Sequence, residues 1–243
     1  MAFFKLLGSS PLSARIGLAM VLITIAAAIL APVISPYGET EIVGDVWLSA
    51  SKDHYLGTDH LGRDLLTRLL YGARNTIAIA FVTTFLSFTV GTICGFFAAT
   101  LGGWTDMSLS RVVDIIMAFP TLIFALMVLS VVGTSITAVA RLRGEGIWWL
   151  MRHEILPNAM PPLVAEFGLR FCFVFLFIAA LSFLGLGLQP PTADWGGMVR
   201  ENAGAITFGI FAPLWPAGAI AFLTVSVNLI VDWFLQIASG LKD

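Results

Sequence analysis

The chain has 243 residues, of which 58% are hydrophobic and 12% charged, with a net charge of −2 and a mean hydropathy of +0.93. A soluble globular domain carries roughly 25% charged residues, so the composition requires a membrane and excludes a soluble enzyme core. The near-neutral balance, without lysine or arginine runs, also excludes nucleic acid as a partner, because binding phosphates needs a clustered basic surface.

Residues 1–14 read as a cytoplasmic tail, and residues 15–243 as one transmembrane domain. Ile16 to Gly38 is free of charge and follows Lys5 and Arg15. It predicts a first span of about 20 residues with the N-terminus in the cytoplasm by the positive-inside rule. Pro36 to Thr76 is the longest polar stretch and is expected outside. Within it, Leu61, Leu65, Leu66, Leu69 and Leu70 recur near helical spacing, which predicts an amphipathic interfacial helix over Leu61 to Ala73, inside an external segment of residues 36–75. His54, Asp59, His60 and Asp64 offer imidazole and carboxylate ligands for a divalent metal. Turn and N-cap chemistry accounts for Gly57-Thr58-Asp59 and Gly62-Arg63-Asp64 better, and no metal site is expected.

Asn75 to Thr105 is again uncharged and predicts a second span. Its Gly91, Gly95 and Ala99 repeat every four residues and put small side chains on one face, as a device for helix packing. Cys94 in this run and Cys172 further on behave as small hydrophobes, without a disulfide framework or metal-site spacing. Ile115 to Gly133 predicts a third span, with Pro120 near its start.

Ala138 to Pro162 is a charged and aromatic island that cannot sit in hydrocarbon. Arg141, Arg143, Arg152 and His153 alternate with Glu145 and Glu154, and Gly144 and Gly146 precede Ile147-Trp148-Trp149-Leu150. A short surface helix over Glu145 to Ile155, stopped at Pro157-Asn158, is expected to dock on a partner, since tryptophan and arginine are enriched at protein interfaces. Only Thr134 to Ala140 lie between the preceding span and the island's first charge, Arg141, too few for another crossing. Pro161 to Leu181 predicts the next span, and Glu166 and Arg170 stand i,i+4 within it. Such a pair either neutralises itself near the membrane boundary or lines a path for a solute. A polar loop from Gln189 to Asn202 precedes the last span, Leu214 to Ile237.

Together these stretches resemble the permease subunits of the dipeptide, oligopeptide and nickel class of ABC importers. The resemblance rests on His54-x-Leu56-Gly57-Thr58-Asp59-x-Leu61-Gly62-Arg63-Asp64 with Arg68-Leu69-x-Tyr71-Gly72-Ala73-Arg74; on Ala140-Arg141-x-x-Gly144 with Ile155-Leu156-Pro157-Asn158-Ala159-x-Pro161-Pro162; and on Leu181 to Gly187 with Gln189-Pro190-Pro191 and Trp195-Gly196-x-Met198. The closest match is to the second, C-type permease. It implies an all-α integral membrane fold, the transmembrane subunit of a type I ABC importer. The chain would form half of a translocation path for peptides or similar small solutes, in the bacterial inner membrane.

Its partners would be a homologous second permease subunit, two ATPase subunits, an extracytoplasmic binding protein and the lipid bilayer. Residues 138–160 would be the cytoplasmic coupling loop, with Arg141, Gly144, Glu145, Gly146, Ile147, Trp148, Trp149, Leu150 and Arg152 contacting an ATPase. Such permeases have a six-span core, and here the fourth span and the opening of the coupling loop are expected to be missing near residues 135–138. No catalytic residue or bound cofactor is expected in this chain, and ATP and Mg would sit on the ATPase partners; a Walker A pattern is absent. Alternative cargoes are nickel, glutathione-like or opine-like compounds, and the alternative role is a non-transporting structural or assembly subunit.

Overall fold

The computed structural model describes residues 10–101, 107 and 156–239; side chains are described over 10–95, 107 and 163–237. The described residues form two units, one from 10–84 and 165–239, the other from the remainder. Five α-helices follow one another: α1 Leu12–Ile34, α2 Leu65–Leu101, α3 Leu156–Phe183, α4 Trp195–Asn202 and α5 Leu214–Ser239, with a short 3-10 helix at Ala203–Phe208. Among the described residues, four helices are long and apolar enough to cross a membrane: Leu12–Ile34, Leu65–Gly95, Leu163–Phe183 and Leu214–Ile237. The expected third span and the coupling residues Arg141 to Arg152 lie outside the described residues.

In the first unit α5 lies against both α1 and α3, and glycines make the close approaches. A Cβ added at Gly17 of α1 would lie 2.8 Å from Leu229 Cβ and from the Ser226 carbonyl, and one added at Gly168 of α3 would collide with Val231. The Cys172 thiol faces the Thr224 carbonyl at 3.9 Å. Small residues let helix backbones meet in lipid, where no hydrophobic force drives helices together. The core continues through Ala80, Phe171, Phe175, Trp195, Met198 and Leu223, with Trp195 edge-on to Phe175 at 6.2 Å.

The loops 35–64 and 184–213 are joined to each other, so the C-terminal ends of α1 and α3 and the N-terminal ends of α2 and α5 share one membrane face. Glu39 Oε1 accepts from the Ala193 N–H at 2.6 Å, and Asn202 Oδ1 accepts from the His60 N–H at 3.0 Å. Thr76 donates to Asp194 Oδ1 at 2.9 Å, and the Trp195 indole N–H donates to the Leu69 carbonyl at 2.9 Å, which fixes α4 on the first turns of α2. Asp194 caps α4 by accepting from the Gly197 N–H at 2.8 Å.

Three boundaries differ from expectation. The first crossing helix runs from Leu12 to Ile34 rather than from Ile16 to Gly38. The helix expected from Pro161 already begins at Leu156, so residues 156–160 of the expected 138–160 loop are helical; prolines are tolerated in a first turn because their missing N–H has no partner there. The third is the start of α2. The leucine-rich stretch at 61–73 is not a separate interfacial helix. Residues 61–64 belong to the loop, and Leu65 opens a single helix that runs without a break to Leu101. Asp64 accepts from the Thr67 N–H at 2.7 Å, which satisfies a first-turn donor and sets the start at Leu65. Arg68, Asn75 and Thr76 of its first turns bond residues 191–194 of the second long loop, while Leu61 is exposed and Leu66, Leu69 and Leu70 are half-buried. The other small-residue stripe has no counterpart yet: among the described residues nothing lies within 4 Å of a Cβ at Gly91 or Gly95, and the Ala99 side chain lies outside them.

Gly17→Leu and Gly168→Leu are expected to force α5 away and cost about 1–3 kcal/mol each. Gly218→Ala on α5, where a Cβ meets nothing within 4 Å, should be neutral or gain up to about 1 kcal/mol from helix propensity. Thermal unfolding of the detergent-purified variants measures the order.

Candidate functional site

The charged residues of the first long loop converge on α4 in a buried cluster. Gly57 and Gly62 adopt φ of +81° and +78°, and a Cβ at either would collide with the carbonyl of Leu48 or Gly44. Only glycine turns the chain tightly enough there. The turn places Asp59 so that Oδ1 accepts from the N–H groups of Leu61 (2.8 Å) and Arg63 (3.0 Å). Its Oδ2 accepts from Arg63 Nε at 2.7 Å and faces Arg68 Nε at 3.2 Å. Glu201, near the end of α4, presents Oε2 to Arg68 Nη2 at 3.1 Å and Arg63 Nη2 at 3.4 Å. Arg68 also donates to the Pro191 carbonyl at 3.2 Å.

Asp59, Arg63 and Arg68 are almost fully buried, at 0%, 3% and 1% exposure. Such charges survive burial only when every one is paired and hydrogen-bonded. Two carboxylates against two guanidiniums give a neutral cluster. His60 stands at its lip, with Nδ1 at 3.9 Å from Asp59 Oδ2 and 3.8 Å from Glu201 Oε2. Burial, first of all, pulls the imidazole below its ordinary 6.5; Asp59 and Glu201 oppose this, and Arg63 and Arg68 add to it.

Asp59, His60 and Glu201 bring possible ligand atoms within 4.8 Å of one another. The same carboxylates, however, accept from two arginines, whose positive charges oppose a divalent cation at that point. His54 and Asp64 meet separately, at 3.4 Å, so the four metal-type residues of the sequence do not form one constellation. No nucleophile–base pair is built into the cluster; what it does is lock two loops and the start of α2 together.

The i,i+4 pair of α3 is also present: Arg170 Nε donates to Glu166 Oε1 at 2.6 Å, with Glu166 buried and Arg170 partly exposed. Glu201, Asn202 and Trp47 escaped sequence reasoning. Trp47 holds a left-handed φ of 56°, costing roughly 1–3 kcal/mol for a bulky residue. Its N–H donates to the Asp59 carbonyl at 3.1 Å and its indole to Asn202 Oδ1 at 3.4 Å. The available signal was that Arg200 and Glu201 are the only charges between Asp194 and Asp232.

Residues 132–239 match the family described as binding-protein-dependent transport system inner membrane component. A dipeptide transport system permease protein of Alkalihalophilus pseudofirmus is 30% identical over 99% of this chain and 87% of its own length. A di/tripeptide transport system permease protein of Pseudomonas aeruginosa is 31% identical, covering 93% and 85%. A glutathione transport system permease protein of Pectobacterium atrosepticum is 30% identical, covering 92% and 83%. The first of these matches extends over 273 positions against 243 residues here, so that relative has at least 30 positions without a counterpart in this chain.

Removing Glu201 by Glu201→Gln leaves Arg68 short of a buried counter-charge, and a loss of about 3–5 kcal/mol is expected in thermal or denaturant unfolding. His60 predicts a pH effect of defined sign. Well above pH 6.5 it is neutral folded and unfolded, and contributes nothing. As pH falls below 6.5 the unfolded chain takes up a proton that the folded chain resists, so stability is lost until the lowered folded value is passed. His60→Gln should therefore lose less Tm than the parent between about pH 7 and about pH 5.

Proposed function

Since this chain belongs to the family of binding-protein-dependent transport inner membrane components and is a multi-pass permease subunit, we propose that it forms half of an ATP-driven import path for short peptides. The observation that carries the cargo assignment is the near end-to-end similarity to dipeptide and di/tripeptide permeases. The glutathione permease relative supports a second cargo, itself a small peptide-like thiol.

In this reading the second half of the path is a homologous permease, an extracytoplasmic binding protein delivers the solute, and two ATPase subunits carry ATP and Mg. The N-terminus lies in the cytoplasm, so the face bearing the Asp59–Glu201 cluster is extracytoplasmic and meets the binding protein. Residues 138–160 then lie on the opposite face. Gly144 to Leu150, flanked by Arg141 and Arg152, form the coupling helix, because Trp148 and Trp149 give it aromatic anchors of the kind that dominate interfaces. Glu166 and Arg170 border the path: a charge pair is costly at membrane depth, and the partly exposed guanidinium leaves one member accessible.

Coupling is tested by changing Trp148 and Trp149 together to alanine in the reconstituted transporter. Substrate-stimulated ATP hydrolysis should fall at least tenfold, the effect of losing about 1.4 kcal/mol or more of docking energy, while the permease still reaches the membrane. Undiminished stimulated hydrolysis would sink the coupling assignment.

A further inference from the structure

From Ala203 to Val231 the chain carries no charge, yet the span of α5 begins only at Leu214. The residues before it, through the 3-10 helix and up to Pro213, are therefore apolar without being needed to cross the bilayer. They are also presented outward: Ile206, Phe208 and Phe211 are 53%, 70% and 65% exposed. We propose that this segment is an interfacial membrane anchor, with these three side chains seated among the headgroups and upper acyl chains of the phospholipid bilayer beside the start of α5.

Three observations place lipid there. On α5, Leu214, Trp215, Phe222 and Val225 are exposed and fall within an arc of about 100° at 100° per residue, which makes one continuous apolar stripe. Trp215 stands at the outset of that stripe, where tryptophan marks the membrane interface, and Phe211 precedes it by four residues, just before the helix. The anchor is thus continuous with the exposed apolar face of a helix long and apolar enough to cross the bilayer.

The backbone is also prepared for poor hydration. Gly209 N–H donates to the Ile206 carbonyl at 2.9 Å, Ile210 N–H to Ala205 at 3.0 Å and Leu214 N–H to Phe211 at 3.0 Å. Satisfying main-chain groups internally is the condition for residing near hydrocarbon. Finally, the side chains are large, whereas helices that pack on one another in membranes approach through small residues, as Gly17 and Gly168 do here. Trp47 fixes the segment from the loop side, its ring 5.5 Å from Phe208.

The inference rests on α5 crossing the bilayer and is independent of the cargo. It is tested with the full chain, purified with the subunits that accompany it and reconstituted in phosphatidylethanolamine–phosphatidylglycerol vesicles. Cys94 and Cys172 are replaced by alanine, and a nitroxide label is placed at Phe208→Cys, at Phe211→Cys, at Ile206→Cys, which spares the Trp47–Phe208 contact, and at Lys52→Cys as an aqueous reference. The ratio of collision with oxygen to collision with a water-soluble nickel chelate should be several-fold higher at 206, 208 and 211 than at 52. Ratios equal to that at 52 would place the segment in water, and low collision with both reagents would place it under another protein subunit; either result overturns the anchor.

Discussion

The burial of Asp59, Arg63, Arg68 and Glu201 in one cluster is the constraint on which the rest of the described structure depends. Removing these groups from water is costly, and only a complete set of partners offsets it. Each carboxylate faces guanidinium groups of both arginines, with Asp59 and Arg63 from the first loop, Arg68 from α2 and Glu201 from α4. None of these segments can leave without stranding a buried charge. The cluster contributes specificity more than net stability, because misplacing either loop is penalised more strongly than correct placement is rewarded.

Around that lock the neighbouring contacts form a body that spans the loops and the helix ends. Thr76, Asp194 and Trp195 tie α4 to α2, Glu39 ties the first loop to residue 193, and Asn202 holds both His60 and Trp47. The strained backbone of Trp47 persists because its amide, its indole and its ring each have a partner. For a permease subunit this matters mechanically: the loop face and the first turns of α2 are joined by directional bonds, while the helices below meet through small residues and van der Waals contact.

Much of this was legible from sequence, for reasons that can be named. The four crossings among the described residues appear as long apolar runs with few charges because lipid supplies no hydrogen bonds, so a crossing must be long, apolar and helical wherever it occurs. The Gly57 and Gly62 turns and the Asp64 cap were legible because they are local. The i,i+4 pairing of Glu166 and Arg170 followed from helical geometry alone. The start of α2 was misplaced because leucine spacing reports a helical repeat without saying where the helix begins, which the Asp64 cap decides.

The sequence by itself determined the class of the molecule, its crossings among the described residues and, through long motifs, its kinship with importer permeases. Those properties are written in composition and short-range spacing, which a bilayer makes almost binding. Tertiary structure alone decided which charges are shared, that α2 runs unbroken from the loop, and that Trp47 lies over the 3-10 helix. Arg63 and Glu201 are 138 residues apart. No local pattern encodes that pairing, because it exists only after two loops have been brought to the same membrane face and water has been expelled from between them.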